Sequence, residues 1–192
     1  MPGHRIRTDL TGNRLTCRFR TEGLLRGGAP VYFGSRETAG DAPRLAAILE
    51  AAGASAAKVA GGTISLTRED YEDWPSVCRA VAPLILAALD SGGPLVPDAV
   101  PGNIPSDEEI RDRVERVLAS EVNPSVSSHG GLIELDGVRE ATVFVRMSGG
   151  CRGCAHSRMT LRMGVERALR ATVPEIDDVV DVTDHGAGHP PS

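Results

Sequence analysis

Cys151 and Cys154 stand in the run Ser148-Gly-Gly-Cys-Arg-Gly-Cys154, a pair of thiols with two residues between them. A tetrahedral thiolate site or a cubane iron-sulfur cluster takes four cysteine sulfurs, and this pair supplies half of them. It therefore holds half a site that a second copy completes, or it cycles between dithiol and disulfide. Gly149, Gly150 and Gly153 leave room for a bulky inorganic core and backbone amides free to donate to it, while Arg152 and Arg158 add positive charge that favours thiolates. The other two cysteines, Cys17 and Cys78, lie far apart in the chain and are expected to serve packing, as free cysteines usually do. Met159 and Met163 are expected in the core, and His129 in Ser-Ser-His-Gly-Gly is expected to hydrogen-bond a turn. His185 and His189 flank a Gly-Pro tail and read as solvated. Asp70, Glu72 and Asp73, leading into Trp74, read as acids that favour a helix start rather than as a docking patch.

The elements that must hold the pair can be read from the flanking pattern. Ser106-Asp-Glu-Glu109 has the form of a capping box, so a helix starts there, with Ile110, Val114, Val117 and Leu118 at helical spacing until Asn123-Pro124. Ile133–Leu135 and Thr142–Met147 read as strands joined at Asp136-Gly137, a hairpin signal. The cysteine run follows, then a helix over 155–173 with Met159, Met163, Val165 and Leu169 as its apolar set, stopped by Pro174, and a short strand over 179–182. Upstream, 15–19 and 31–33 read as strands and 42–52 as a helix. A hairpin follows that turns at Gly61-Gly62, then a helix over about 75–89 with Val77, Val81, Leu84, Ile85 and Ala88 inward. Between the halves, residues 91–105 hold four prolines and three glycines, a composition that continues neither helix. The expected fold is α+β in two small domains: 14–90, a linker over 91–105, and 106–185 ordered helix, hairpin, CxxC loop, helix, strand, with a disordered tail over 186–192.

Composition bounds the partners. With 192 residues and 41% hydrophobic content the chain suffices for two packed cores, and with 3% aromatics those cores must be aliphatic. A formal net charge of −5 with acids and arginines interspersed argues against a nucleic-acid partner, which would need a basic patch or an aromatic stacking platform. No apolar run reaches the roughly 18 residues of a membrane span, and the N-terminus lacks the apolar core of a secretory signal. The expectation is a cytoplasmic protein with reduced thiols.

The stretches Val122-Asn-Pro-Ser-Val-Ser-Ser-His-Gly-Gly-Leu-Ile-Glu-Leu135, Gly149-Gly-Cys-Arg-Gly-Cys154 and Val180-Asp-Val-Thr-Asp-His185 closely resemble the C-terminal domain of NifU, as found in the Nfu family of iron-sulfur scaffold and carrier proteins. The resemblance covers roughly residues 106 to 185. It implies that Cys151 and Cys154 of each of two subunits ligate a 4Fe-4S cluster at their interface, that the homodimer takes the cluster from assembly proteins and passes it to apo iron-sulfur proteins, and that the protein is not an enzyme. Gly62-Thr-Ile-Ser-Leu-Thr67 and Asp70-Tyr-Glu-Asp-Trp74 look like the N-terminal domain of many Nfu proteins, which implies recognition of donor or recipient proteins. The chain departs from full-length NifU, whose amino-terminal scaffold domain carries three ligand cysteines. The alternatives are a thioredoxin-like dithiol-disulfide oxidoreductase and a structural zinc dimer with two cysteines from each copy.

Overall fold

The computed structural model describes residues 4–11, 15–69, 73–128, 130–149 and 155–183, with 155–162 described as backbone. The described chain combines helices and sheets as an α+β protein. It divides into two compact units, Met1–Ile104 and Pro105–Ser192.

In the first unit, β1 (Ile6–Leu10), β2 (Thr16–Thr21), β3 (Val31–Phe33), β4 (Ala56–Ala60) and β5 (Thr63–Thr67) form an antiparallel sheet in the order β1-β2-β5-β4-β3. Alternation along β2 buries Cys17 and Phe19 and turns Arg18 and Arg20 away. The two glycines join β4 to β5 as expected. Gly61 has φ +55°, and a Cβ on Gly62 would press against the carbonyl oxygens of Gly23 and Thr21. Helix α1 (Pro43–Ala52) starts on a proline, ends at Gly53 with φ +55°, and buries Leu45, Ile48, Leu49 and Ala52. Helix α2 (Trp74–Asp90) buries Trp74, Val77, Val81, Ile85 and Ala88. Leu84, expected inward, is exposed, while Trp74 is buried in the core as a packing residue. Asp70 and Glu72 lie outside the described residues.

The expected linker proves to be largely a strap bound to this unit. Leu95 and Val96 are buried among its core residues, and the Leu95 amide donates to the Leu25 carbonyl at 2.7 Å. Arg26, 1% exposed, donates to the carbonyl oxygens of Ala29 (2.5 Å), Pro97 (3.0 Å) and Val100 (2.6 Å). Asp98 accepts from the amides of Gly27 and Gly28, and the Asn103 amide pairs with both backbone groups of Tyr32. Prolines here stop helix and sheet, but the side chains of Arg26 and of the strap's own Asp98 and Asn103 satisfy backbone polar groups that a loose loop would leave to water.

The second unit opens with the capping box. Ser106 Oγ accepts from the Glu109 amide at 3.2 Å, and Glu109 accepts from the Ser106 amide at 2.9 Å, which holds the exposed Glu109 carboxyl below its ordinary pKa. Helix α3 (Asp107–Val117) does not stop at Asn123-Pro124. It widens into a π-turn, Leu118–Val122, and resumes as the short α4 (Asn123–Ser127), where Pro124 occupies an opening position that needs no amide donor. Strands β6 (Gly131–Arg139) and β7 (Thr142–Gly149) pair antiparallel, and β8 (Asp178–Asp181) adds to β7 in parallel after crossing over through α5 (Ala155–Thr172). The hairpin turn lies at Glu140-Ala141, not at Asp136-Gly137. Both turn residues take positive φ, 50° and 59°, with their amides held at 3.0 Å by the Asp107 carboxylate at the start of α3. Asp136 instead sits in a bulge between Leu135 and Gly137. Ile110, Val114, Val143, Val145, Met147, Leu169 and Val179 form the core between α3, the sheet and α5.

Candidate functional site

Residues 150–154, which include Cys151 and Cys154, lie outside the described residues, as do His129, His185 and His189. Both shores of the segment are described: β7 ends at Gly149 and α5 starts at Ala155, the strand-to-helix junction expected from the sequence. Gly149 has φ +65° and Gly130 φ +67°. Gly149 pairs with Gly131, and a Cβ on Gly149 would collide with the Gly130 carbonyl. Glycine at 149 thus lets β7 leave the sheet in a left-handed conformation while lying flat on the turn before β6.

Two further fastenings fix this margin. The Asn123 side-chain amide donates to the Ile133 carbonyl at 3.0 Å and accepts from the Ile133 amide at 2.9 Å, which ties α4 to β6. The Met147 amide donates to Thr183 Oγ1 at 2.6 Å, which extends the contact of β7 beyond the end of β8. The far half of α5 is anchored by Val165, Leu169 and the nearly buried Glu166, whose carboxylate accepts from Arg170 Nε at 2.8 Å. Arg170 also donates to the carbonyls of Ile176 (2.6 Å) and Asp177 (2.9 Å), clamping the loop after the helix. Met163 is 42% exposed rather than in the core, because α5 turns Val165, Glu166 and Leu169 inward and leaves position 163 outside that stripe. Leu132, beside Gly131, is 44% exposed.

The other two cysteines serve packing in the first unit, as expected. Cys17 on β2 is 2% exposed, and Cys78 on α2 packs half-buried against the same core. The two residues, 61 positions apart in sequence, pack into the same core. Burial pushes the Cys17 thiol up to about 12, with the neighbouring Cys78 adding to the shift. Burial raises Cys78 too. Among the described residues no group of three or more His, Cys, Asp or Glu side chains is placed to hold a metal ion, and no helix is long and apolar enough to cross a membrane.

A glycine-flanked thiol pair between a strand and a helix, in a unit ordered helix, hairpin, helix, strand, belongs to a known class. Residues 114–180 match the NifU-like domain, so the second unit carries a region similar to that family. It is 39% identical over 94 residues to the Fe/S biogenesis protein NfuA of Stenotrophomonas maltophilia (strain K279a), covering 48% of this chain and 47% of the relative. It is 41% identical over 90 residues to that of Teredinibacter turnerae, covering 46% of each. With that of Acinetobacter baylyi it shares 35% identity over 133 residues, covering 62% of this chain and 63% of the relative. The chain thus spans about half the length of the first two relatives and under two thirds of the third.

Proposed function

We propose that the protein is an iron-sulfur cluster carrier in which Cys151 and Cys154 of two copies jointly ligate a 4Fe-4S cluster, held as cargo and passed to apo iron-sulfur proteins. The observation that carries this reading is the thiol pair with its three glycines in a region similar to the NifU-like domain, together with relatives named for Fe/S biogenesis. Two thiolates per chain are too few for a cubane and suited to sharing one. Sharing favours release, since ligands held by separate chains are replaced stepwise by an acceptor's thiols as the copies part. The start of α5 contributes partial positive charge that favours anionic ligands, and Arg152 and Arg158 add to it. The exposed Leu132 and Met163 supply apolar surface for a second copy. The first unit serves recognition of donor or recipient proteins, and the whole works without substrate turnover.

Anaerobic reconstitution with iron and sulfide tests this, run beside Cys151→Ser/Cys154→Ser with visible absorbance, iron content and oligomeric mass recorded together. A broad charge-transfer band with about two irons per chain in a dimer, absent from the variant, is the expected outcome. A colourless product with about half a zinc per chain, or a reversible disulfide without metal, would transfer the reading to a structural zinc dimer or an oxidoreductase.

A further inference from the structure

We propose that the open face of the first unit's sheet is a docking surface for an acidic polypeptide segment, whose carboxylates meet Arg7, Arg18, Arg20 and Lys58. Such docking is the means by which this unit would recognise donor or recipient proteins, and it rests on that reading of the unit. Register sets the face. Arg7 of β1 stands opposite Arg20 of β2, and Asp9 opposite Arg18. Arg18 in turn stands opposite Ser65 of β5, and Ser65 opposite Lys58 of β4. Opposed residues in antiparallel strands project to the same side, so every cation in the five strands shares one face, with Asp9 the one strand carboxylate beside them. The other face carries Cys17, Phe19, Val59, Ile64 and Leu66, in one core with the apolar stripes of α1 and α2 and with Leu95 and Val96 of the strap. Both helices thus lie on one side of the sheet, and the cationic side has neither. Met1–Ile104 holds equal numbers of acidic and basic residues, so the surplus on this face comes from placement and not from composition.

Between the cations runs β5, which presents Thr63, Ser65 and Thr67 on the same side, a row of hydroxyls. Ser65 is 3% exposed, and its Oγ has no hydrogen-bond partner among the described residues. Arg18 and Lys58, both half-buried, flank it at one strand spacing, about 4.8 Å, to either side. A carboxylate brought between those two side chains finds two positive charges and a hydroxyl donor in one place. Arg7 and Arg20 are exposed beyond this point. Arg20 lies 3.4 Å from Asp9, an exposed pair of the kind that an incoming carboxylate exchanges at little cost. Three strand spacings separate β1 from β4, about 14 Å, a width suited to a short extended peptide whose alternate side chains repeat about every 7 Å. The same features disfavour a nucleic acid. Asp9 stands within the patch, a single aromatic strand residue, Tyr32, shares the face opposite Lys58, and the chain carries a formal net charge of −5.

The test uses the full chain carrying Cys151→Ser/Cys154→Ser, so that binding is read without a cluster. The probe is a fluorescein-labelled peptide of alternating glutamate and serine, followed by fluorescence anisotropy at low and at physiological salt. The peptide should bind, with an affinity that falls as salt rises. Arg18→Gln/Lys58→Gln should weaken binding about tenfold, and Arg7→Gln/Arg20→Gln about threefold to tenfold. Arg36→Gln/Arg79→Gln, which removes exposed cations on the helical side, should leave it unchanged. The Trp74 melting transition checks the fold of each variant. Should the half-buried pair prove necessary for folding, the exposed Arg7 and Arg20 pair decides the matter alone. Absence of binding at low salt would overturn the proposal, as would equal weakening by the helical-side variant. Tighter binding of a single-stranded oligonucleotide of equal charge through the same four residues would overturn it too. Cluster binding is measured on the native chain, so a negative result here removes the docking face and leaves the carrier reading standing. A native chain that takes no cluster while still binding the peptide does the reverse.

Discussion

Replacing Asn123 by alanine removes a bracket that two hydrogen bonds define. The Asn123 amide meets both the amide and the carbonyl of Ile133, at 2.9 and 3.0 Å, and Ile133 is 1% exposed. β6 has a sheet neighbour on one side only, and the two Ile133 groups face the other side, so alanine leaves a buried donor and a buried acceptor without their partner. Each such loss costs about 1–3 kcal/mol. Partial access of water to a sheet edge places the sum at about 2–4 kcal/mol. For a unit of this size, about 4–8 °C per kcal/mol gives a fall in melting temperature of roughly 10–30 °C. The assay exploits the location of the chain's one tryptophan, Trp74, in the first unit, while residues 105–192 contain neither tryptophan nor tyrosine. In Asn123→Ala, unfolding followed by far-ultraviolet circular dichroism should gain an early transition while the Trp74 fluorescence transition stays in place. Asn123→Asp keeps an acceptor for the Ile133 amide and should lose about half as much. A shift below about 0.5 kcal/mol, the level of an ordinary surface substitution, would refute the reasoning, and so would an equal shift in Trp74 fluorescence.

Arg26→Met should free the strap by removing the donor to three carbonyls. A cost of about 2–4 kcal/mol should appear in the Trp74 transition, with faster proteolysis between residues 95 and 103. Gly149→Ala forces a Cβ into the Gly130 carbonyl at positive φ. It should cost at least about 2 kcal/mol, with hydrogen exchange speeding first at the Gly131 and Gly149 end of the β6–β7 pair. The raised Cys17 thiol makes stability pH-dependent. The folded state keeps the proton that the unfolded chain gives up above about pH 8.5, so this contribution is whole below that pH and falls as pH rises toward about 12. The slope is at most ~1.4 kcal/mol per pH unit, and Cys17→Ala should flatten the difference in a series of urea melts across alkaline pH.

Where sequence specified structure locally, the elements were legible. The Ser106–Glu109 cap, the inward stripes of α1 and α2, and the Gly61-Gly62 hairpin need only residues within a few positions of each other. What escaped depended on distant partners. β1 reads Ile-Arg-Thr-Asp-Leu, with no apolar alternation, because most of its side chains are exposed and it joins the sheet mainly through its backbone. Asp136-Gly137 has hairpin chemistry but serves a bulge, since the Asp107 carboxylate, about thirty residues earlier, steadies positive φ at Glu140 and Ala141. The prolines of 91–105 suggested a tether, yet Arg26 and the apolar pair Leu95-Val96 bind it down. Of the candidate site, the strand and helix on either side of the cysteines were legible from periodicity.

The Asn123 bracket also bears on how the protein stays apart from its own kind. An outer strand offers a row of bare amides and carbonyls on which another chain can build, the starting point of edge-to-edge aggregation. β6 is such a strand, and Leu132 lies exposed on it. With a side-chain amide filling the place of a neighbouring backbone at Ile133, and a bulge interrupting the ladder at Asp136, few consecutive positions remain for an incoming strand to read. Strand addition to this edge is thereby discouraged from spreading along the sheet into fibres.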